Sequence, residues 1–220
     1  MHDHKHSHPV PADTKGLLIR WGSFYDTCVN LLTLGRTKRL REMTIGLAML
    51  KPGEKILDVG CGTGGVTIPA KVRIGQTGLA AGIDPSPEMI AVACKKAGKL
   101  GLEIDFRIGV IESLPYANES FDVVTSSLMM HHLPYEVQQK GLAEVIRVLK
   151  PGGRMLIADV ARPTNFFLKK LYAMLAEHHG LKFGVEDLPA TLKSAGFQDA
   201  TQQEEHFGLI GFVRALKPAD

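Results

Sequence analysis

Between residues 51 and 160, short apolar runs alternate with longer stretches in which apolar residues return every third or fourth position. The runs predict strands at 55–59, 79–83, 104–108, 121–126 and 154–159. The stretches between them predict helices at 64–74, 86–100 and 136–149, with a shorter one near 112–114. Crossovers of this length join parallel strands, so the expected fold class is α/β, a mostly parallel sheet with helices on both faces. Right-handed crossovers carry the loop after each strand to one edge of the sheet, and ligands of such folds bind there, where strand order reverses. After residue 185 the pattern changes. Leu188–Ala195 predicts a short helix ended by Gly196, and Gln198–Glu205 and Leu209–Leu216, parted by His206–Gly208, predict an antiparallel hairpin that brings the sheet to seven strands.

The first fifty residues read differently. Leu17, Leu18, Trp21, Phe24, Tyr25, Cys28, Leu31 and Leu32 recur at helical spacing, Gly35 interrupts, and a second helical stretch runs from Thr37 to Leu50. Residues 16–50 are therefore expected to form a helical cap on a main domain of 51–220. Arg36, Lys38, Arg39 and Arg41 cluster at its midpoint. Such a cluster is either a solvated helix face or a surface for anionic lipid headgroups or an anionic substrate. Ahead of the cap, residues 1–15 form a tail with histidine at 2, 4, 6 and 8, readable as flexible or metal-scavenging. A segment at about 162–187, with Phe166, Phe167, Tyr172 and Met174, is expected to form an apolar lid.

Composition narrows the class without naming it. A 220-residue chain with 45% hydrophobic and 22% charged residues builds a substantial core. A net charge of +3 does not argue for nucleic acid as partner. No apolar stretch reaches the length of a membrane span, no signal-peptide core precedes the cap, and three widely spaced cysteines predict no disulfide framework. The expected setting is the cytoplasm, as monomer or homodimer.

The most specific segment is Ile56-Leu-Asp-Val-Gly-Cys-Gly-Thr-Gly-Gly65. Glycine at 60, 62, 64 and 65 admits positive φ and lets a ligand approach the backbone. Asp58 stands just before this loop, and Asp84 ends the next strand about 20 residues beyond it, where a nucleotide-binding fold places its ribose-binding acid. With Asp84, Glu112-Ser-Leu-Pro-Tyr116, Phe121-Asp-Val-Val124 and Leu149-Lys-Pro-Gly-Gly153, the segment resembles the class I S-adenosylmethionine-dependent methyltransferases, which have a Rossmann-like sheet with an antiparallel final hairpin. Within that family, Phe24-Tyr25-Asp26, Asn30-Leu31-Leu32 and Gly35 are similar to the ubiquinone/menaquinone-biosynthesis C-methyltransferases.

The resemblance implies S-adenosylmethionine as cofactor and a small, hydrophobic acceptor methylated by in-line displacement. The loop Gly60, Cys61, Gly62 and Gly64 would lie against the methionine portion, with Asp58 accepting from its amino group or tying down the loop. Asp84, followed by Pro85, would accept the ribose hydroxyls, and Met89 would cover the adenine or simply pack in the core. The family usually has an aspartate where this chain has Val110, so adenine would be read by backbone near Ile111 or by Glu112. Ser126 and Ser127 would meet the methionine end. His131 and His132 are the candidate general bases, since an imidazole titrates near neutrality; Tyr25 is a further catalytic candidate. No third ligand accompanies the histidine pair, so no metal site is expected there. The readings left open beside it are a nicotinamide-dependent oxidoreductase and a non-catalytic nucleotide-binding module. An arsenic methyltransferase lacks the needed thiols here, and neither protein nor nucleic acid is indicated as acceptor.

Overall fold

The computed structural model describes residues 35–162 and 184–219. The His-rich tail, the expected helix bearing Tyr25, and residues 163–183, which include most of the expected lid, lie outside the described residues.

The described chain runs α1 (Thr37–Leu47), β1 (Lys55–Val59), α2 (Thr67–Ile74), β2 (Leu79–Asp84), α3 (Pro87–Lys99), β3 (Asp105–Ile108), β4 (Phe121–Ser127), a 3-10 turn (Met130–His132), α4 (Tyr135–Val148), β5 (Leu149–Val160), a second 3-10 turn (Val185–Asp187), α5 (Leu188–Ser194), β6 (Gln198–Phe207) and β7 (Ile210–Leu216). The seven strands form one sheet in the order β3-β2-β1-β4-β5-β7-β6. β1 to β5 are parallel, and β7 inserts antiparallel between β5 and β6. The expected fold class is the observed one.

Alternation along the strands divides the core. Leu57, Val59, Val124 and Ile157 face a cluster that includes Leu142, Val145 and Val148 of α4 and Leu188 and Leu192 of α5. Ile56, Val123 and Leu156 face the other side, against Leu40 of α1 and Ala70 and Ile74 of α2. Strand periodicity of two sends neighbouring residues to opposite layers, which is why the central strands read as continuous apolar runs.

Local chemistry sets the ends of the elements. α2 starts at Thr67 and not at 64, because Gly64 takes φ +78° and the loop continues past it. Ser86 caps α3 by accepting the Met89 N–H at 3.3 Å, with Pro87 in the first turn where its missing N–H costs nothing. α1 stops at Leu47, and Met49 follows at φ +51°.

Three details differ from the pattern-based reading. Residues 112–114 form no helix: Leu114 precedes Pro115, which disfavours α geometry, and Val110 and Ser113 make an antiparallel bridge instead. β5 begins at Leu149, so Lys150-Pro151-Gly152-Gly153 belongs to the strand, with its register against β4 shifted between Phe121 and Val123. The final hairpin turns on two residues, Gly208 and Leu209, with Gly208 at φ +59°. No helix among the described residues is long and apolar enough to cross a membrane.

Candidate functional site

Strand order reverses beside β1: β2 lies on one flank and β4 on the other, and the glycine loop leaves the carboxyl end between them. The N–H groups of Gly60 and Cys61 both donate to the Ile83 carbonyl, at 2.9 and 3.0 Å, which folds the loop back over β2. Gly60 needs to be glycine for two reasons. Its φ is +71°, and a Cβ there would fall 2.5 Å from Cγ of Met129.

Two strand-end acids hold this loop. Asp84 accepts the Gly62 N–H and the Ser86 N–H, each at 2.9 Å, and so joins the glycine loop to the start of α3. Its burial pushes the carboxyl pKa up, while the two N–H donors oppose that. Asp58 is 2% exposed and accepts hydroxyl bonds from Thr125 of β4 at 2.8 Å and Thr67 of α2 at 2.7 Å. Burial raises its pKa from 3.8 to about 6 against the pull of those donors. Cys61 is buried, its Sγ is 3.7 Å from the Gly62 carbonyl, and burial drives its pKa well up, so it stays a protonated thiol at neutral pH.

α1 closes one side of the loop. A cleft between them is lined by Arg41 and Thr44 of α1, by Asp58, Gly60, Cys61, Gly62 and Thr63, and by Ser127 at the end of β4 and Leu128 just past it. The Arg41 guanidinium lies so close that a Cβ on Gly65 would sit 3.0 Å from its Nε. Ser127 reaches this cleft and Ser126 does not: Ser126 pairs beside Val59 on the opposite face, fully buried, with a hydroxyl that has no hydrogen-bond partner among the described residues. Met89 is 3% exposed. Val110 and Ile111 are buried beyond β3, where Ile111 packs against Gly141 of α4, and Pro85 and Glu112 are half-buried.

The two histidines have unequal surroundings. His131 gives its backbone N–H to Asp159 Oδ2 at 3.1 Å, and its Nδ1 makes a very short contact with Asp159 Oδ1. The His132 ring lies 3.8 Å from that of His131, and burial, then the neighbouring His131, lowers its pKa to about 4. His132 is thus neutral at pH 7 and a weak base. Asp159 and Thr44 have no signal of their own in the motifs above, and Arg41 stands there only as one of the basic cluster at 36–41. Asp159 ends a strand after Ile157-Ala158, the same pattern that marks Asp58 and Asp84, and that was the available signal.

Residues 56–153 match a family profile described as a methyltransferase domain. A demethylmenaquinone methyltransferase of Lactobacillus johnsonii is 35% identical over 93% of this chain and 86% of its own length. The chain belongs to the class I S-adenosylmethionine-dependent methyltransferases. A ubiquinone/menaquinone biosynthesis C-methyltransferase of Ectopseudomonas mendocina is 28% identical to the methyltransferase over 88% of this chain and 84% of its own. Among solved structures, an S-adenosylmethionine-dependent methyltransferase of Aquifex aeolicus shares the methyltransferase fold, with TM-score 0.68, 21% identity, and coverage of 89% of this chain and 98% of that one. The enzyme transfers a methyl group from S-adenosylmethionine to a small molecule.

Proposed function

We propose that the enzyme methylates a ring carbon of a reduced, hydrophobic quinone in the cytoplasm, in contact with the membrane surface where such an acceptor resides. The observation that carries this reading is the 35% identity, over nearly the whole chain, to a protein named for methylating demethylmenaquinone.

The donor set at the site fits the cofactor. A carboxylate at the end of β2, bare backbone at Gly60 and Gly62, and a cation at Arg41 match the ribose, amino-acid backbone and carboxylate of such a group. Asp84 would hold the ribose with its remaining lone pairs, the glycine loop and Arg41 the methionine carboxylate, and Asp58 the amino group. Val110 and Ile111 would border the adenine. The cofactor supplies a methyl group on a sulfonium centre, open to attack by an electron-rich carbon. The chain's own task is to orient the acceptor in line with that bond, exclude water and take up a proton. Arg36, just ahead of α1, and Lys38 and Arg39 in its first turn are exposed, and they are the cationic groups that would meet anionic headgroups.

The test is incubation with S-adenosylmethionine and an acceptor panel of reduced naphthoquinones, benzoquinols, catechols and amines. Release of S-adenosylhomocysteine with a reduced naphthoquinone, and a new methyl on its ring carbon, is the expected result. Methylation on oxygen or nitrogen, or turnover confined to the amines, would overturn the acceptor assignment.

A further inference from the structure

Leu128 holds a backbone conformation that a leucine does not favour. Its φ is +56°, in the left-handed region, which disfavours a bulky residue by about 5–30-fold in the folding equilibrium. Among the described residues other than glycine, Met49, Glu119 and Asp199 share that region, and all three are exposed. Leu128 is half-buried and lines the cleft at the glycine loop. Backbone held against its preference beside a ligand cleft points to a task for the side chain it carries.

The kink breaks the alternation of β4. Thr125, bonded to Asp58, and Ser127 stand on the cleft side of the strand, and Ser126 stands on the other. A strict period of two would send Leu128 to the face of Ser126. It packs instead against the cluster that contains Leu40 of α1, while Met129 packs against the cluster on the opposite side. Two consecutive residues, Ser127 and Leu128, therefore line the same cleft. The flanking chain holds this arrangement. The Leu128 N–H donates to the Ala158 carbonyl at 2.8 Å, the Met129 carbonyl accepts the His132 N–H at 3.0 Å, and the Met129 side chain fills the space that a Cβ on Gly60 would need.

The side chain adds apolar surface to a cleft rich in polar groups. Arg41, Asp58 and Ser127 present charge or hydrogen-bonding groups there, and Leu128 joins Leu40 and Val66 as its apolar lining. With the ribose at Asp84 on the β2 flank of β1, Leu128 stands on the β4 flank, away from the sugar. We propose that Leu128 is a specificity residue, the apolar wall against which the acceptor ring lies when it meets the transferable methyl group. This rests on the cofactor seating and the hydrophobic acceptor given above. Selection works by burial. Ring surface laid on the leucine leaves water, whereas a small polar acceptor or a water molecule loses hydrogen bonds at that wall and gains no contact in return. The left-handed backbone is the device that turns the leucine into the cleft.

Three substitutions separate the backbone from the side chain. In urea unfolding, Leu128→Gly should be more stable than Leu128→Ala by about 5–30-fold in the folding equilibrium, because glycine accepts the left-handed region and alanine does not. An alanine variant as stable as the glycine one, or more so, overturns the proposal whatever the acceptor is. In turnover with a reduced naphthoquinone, Leu128→Ala and Leu128→Gly should raise KM for the quinone by about 10–100-fold, the worth of a buried leucine side chain. Affinity for S-adenosylhomocysteine should change less than about threefold, and Leu128→Met should recover most of the loss in KM. An unchanged KM in the alanine variant, or a fall in S-adenosylhomocysteine affinity as large as the rise in KM, overturns it. Methylation of a catechol with no naphthoquinone turned over ends the quinone reading alone. The variants are then compared on the catechol, where a raised KM supports the wall and an unchanged KM overturns it. Turnover confined to the amines overturns both readings.

Discussion

At the scale of single residues, the acids at strand ends do two things at once. Asp58 is the clearest case: a carboxyl bonded to two threonine hydroxyls inside the sheet edge, with its pKa raised by burial to about 6. An unfolded chain releases that proton near pH 4, so between about pH 4 and 6 the folded state holds the extra proton. The contribution of Asp58 to stability is therefore fully present below pH 4 and is lost as pH rises through 6. Urea unfolding of the wild type and Asp58→Asn should show this directly. The difference between their unfolding free energies should move against the wild type by roughly 2–3 kcal/mol from pH 4 to pH 7; parallel curves would mean that Asp58 is ionised throughout. From sequence, Asp58 and Asp84 stand out because a glycine loop follows one and the other ends the next apolar run about 20 residues beyond that loop. Asp159 has no such neighbour, and its partner His131 lies 28 positions away, so only the fold joins them.

At the scale of elements, the segment between β3 and β4 shows how side chains replace regular structure. Arg147 of α4 donates to the carbonyls of Leu114 and Tyr116 at 2.9 and 2.7 Å, and Glu144 receives both Arg147 and the Leu114 N–H. These bonds satisfy a backbone that Pro115 keeps from coiling, which the local sequence pattern cannot reveal because both partners come from α4. Arg147→Ala should cost about 2–3 kcal/mol, mostly from carbonyls left without donors, since the partly exposed ion pair adds little. Amide exchange should quicken at 113–118 while β4 stays protected; uniform exchange would place the loss elsewhere. The central strands, by contrast, were plain in the sequence: Ile56, Leu57 and Val59 form an apolar run bounded by Lys55 and Gly60. The start of β5 was hidden by Pro151-Gly152-Gly153, residues that signal a turn. There the chain keeps its place by edge bonds, Lys217 N–H to the Gly153 carbonyl and Gly152 N–H to the Pro218 carbonyl.

At the scale of the whole molecule, α1 crosses one face of the sheet and links its two edges. Its Arg41 and Thr44 line the cleft at the carboxyl edge, while its far end is pinned by Arg154, which donates to the carbonyls of Ala48 and Met49 and grips Glu54 with two bonds. Arg154→Met should lower stability by about 2–4 kcal/mol, since Glu54 and two carbonyls lose their donor. It should also weaken S-adenosylhomocysteine binding several-fold by calorimetry, although residue 154 lies at the opposite edge from the cofactor loop. Unchanged affinity in a destabilised variant would show that α1 is held by its apolar face alone. The insertion of β7 between β5 and β6 has another consequence, in the order of synthesis. Val160 finds its partner Ile210 about fifty residues later, so on a ribosome adding about 5–20 residues per second the open side of β5 waits from roughly 3 to 10 s for its neighbour. During that interval Met155 to Ala158 present an unpaired, strongly apolar ribbon, the kind of edge that nascent chains hand to one another or to a chaperone.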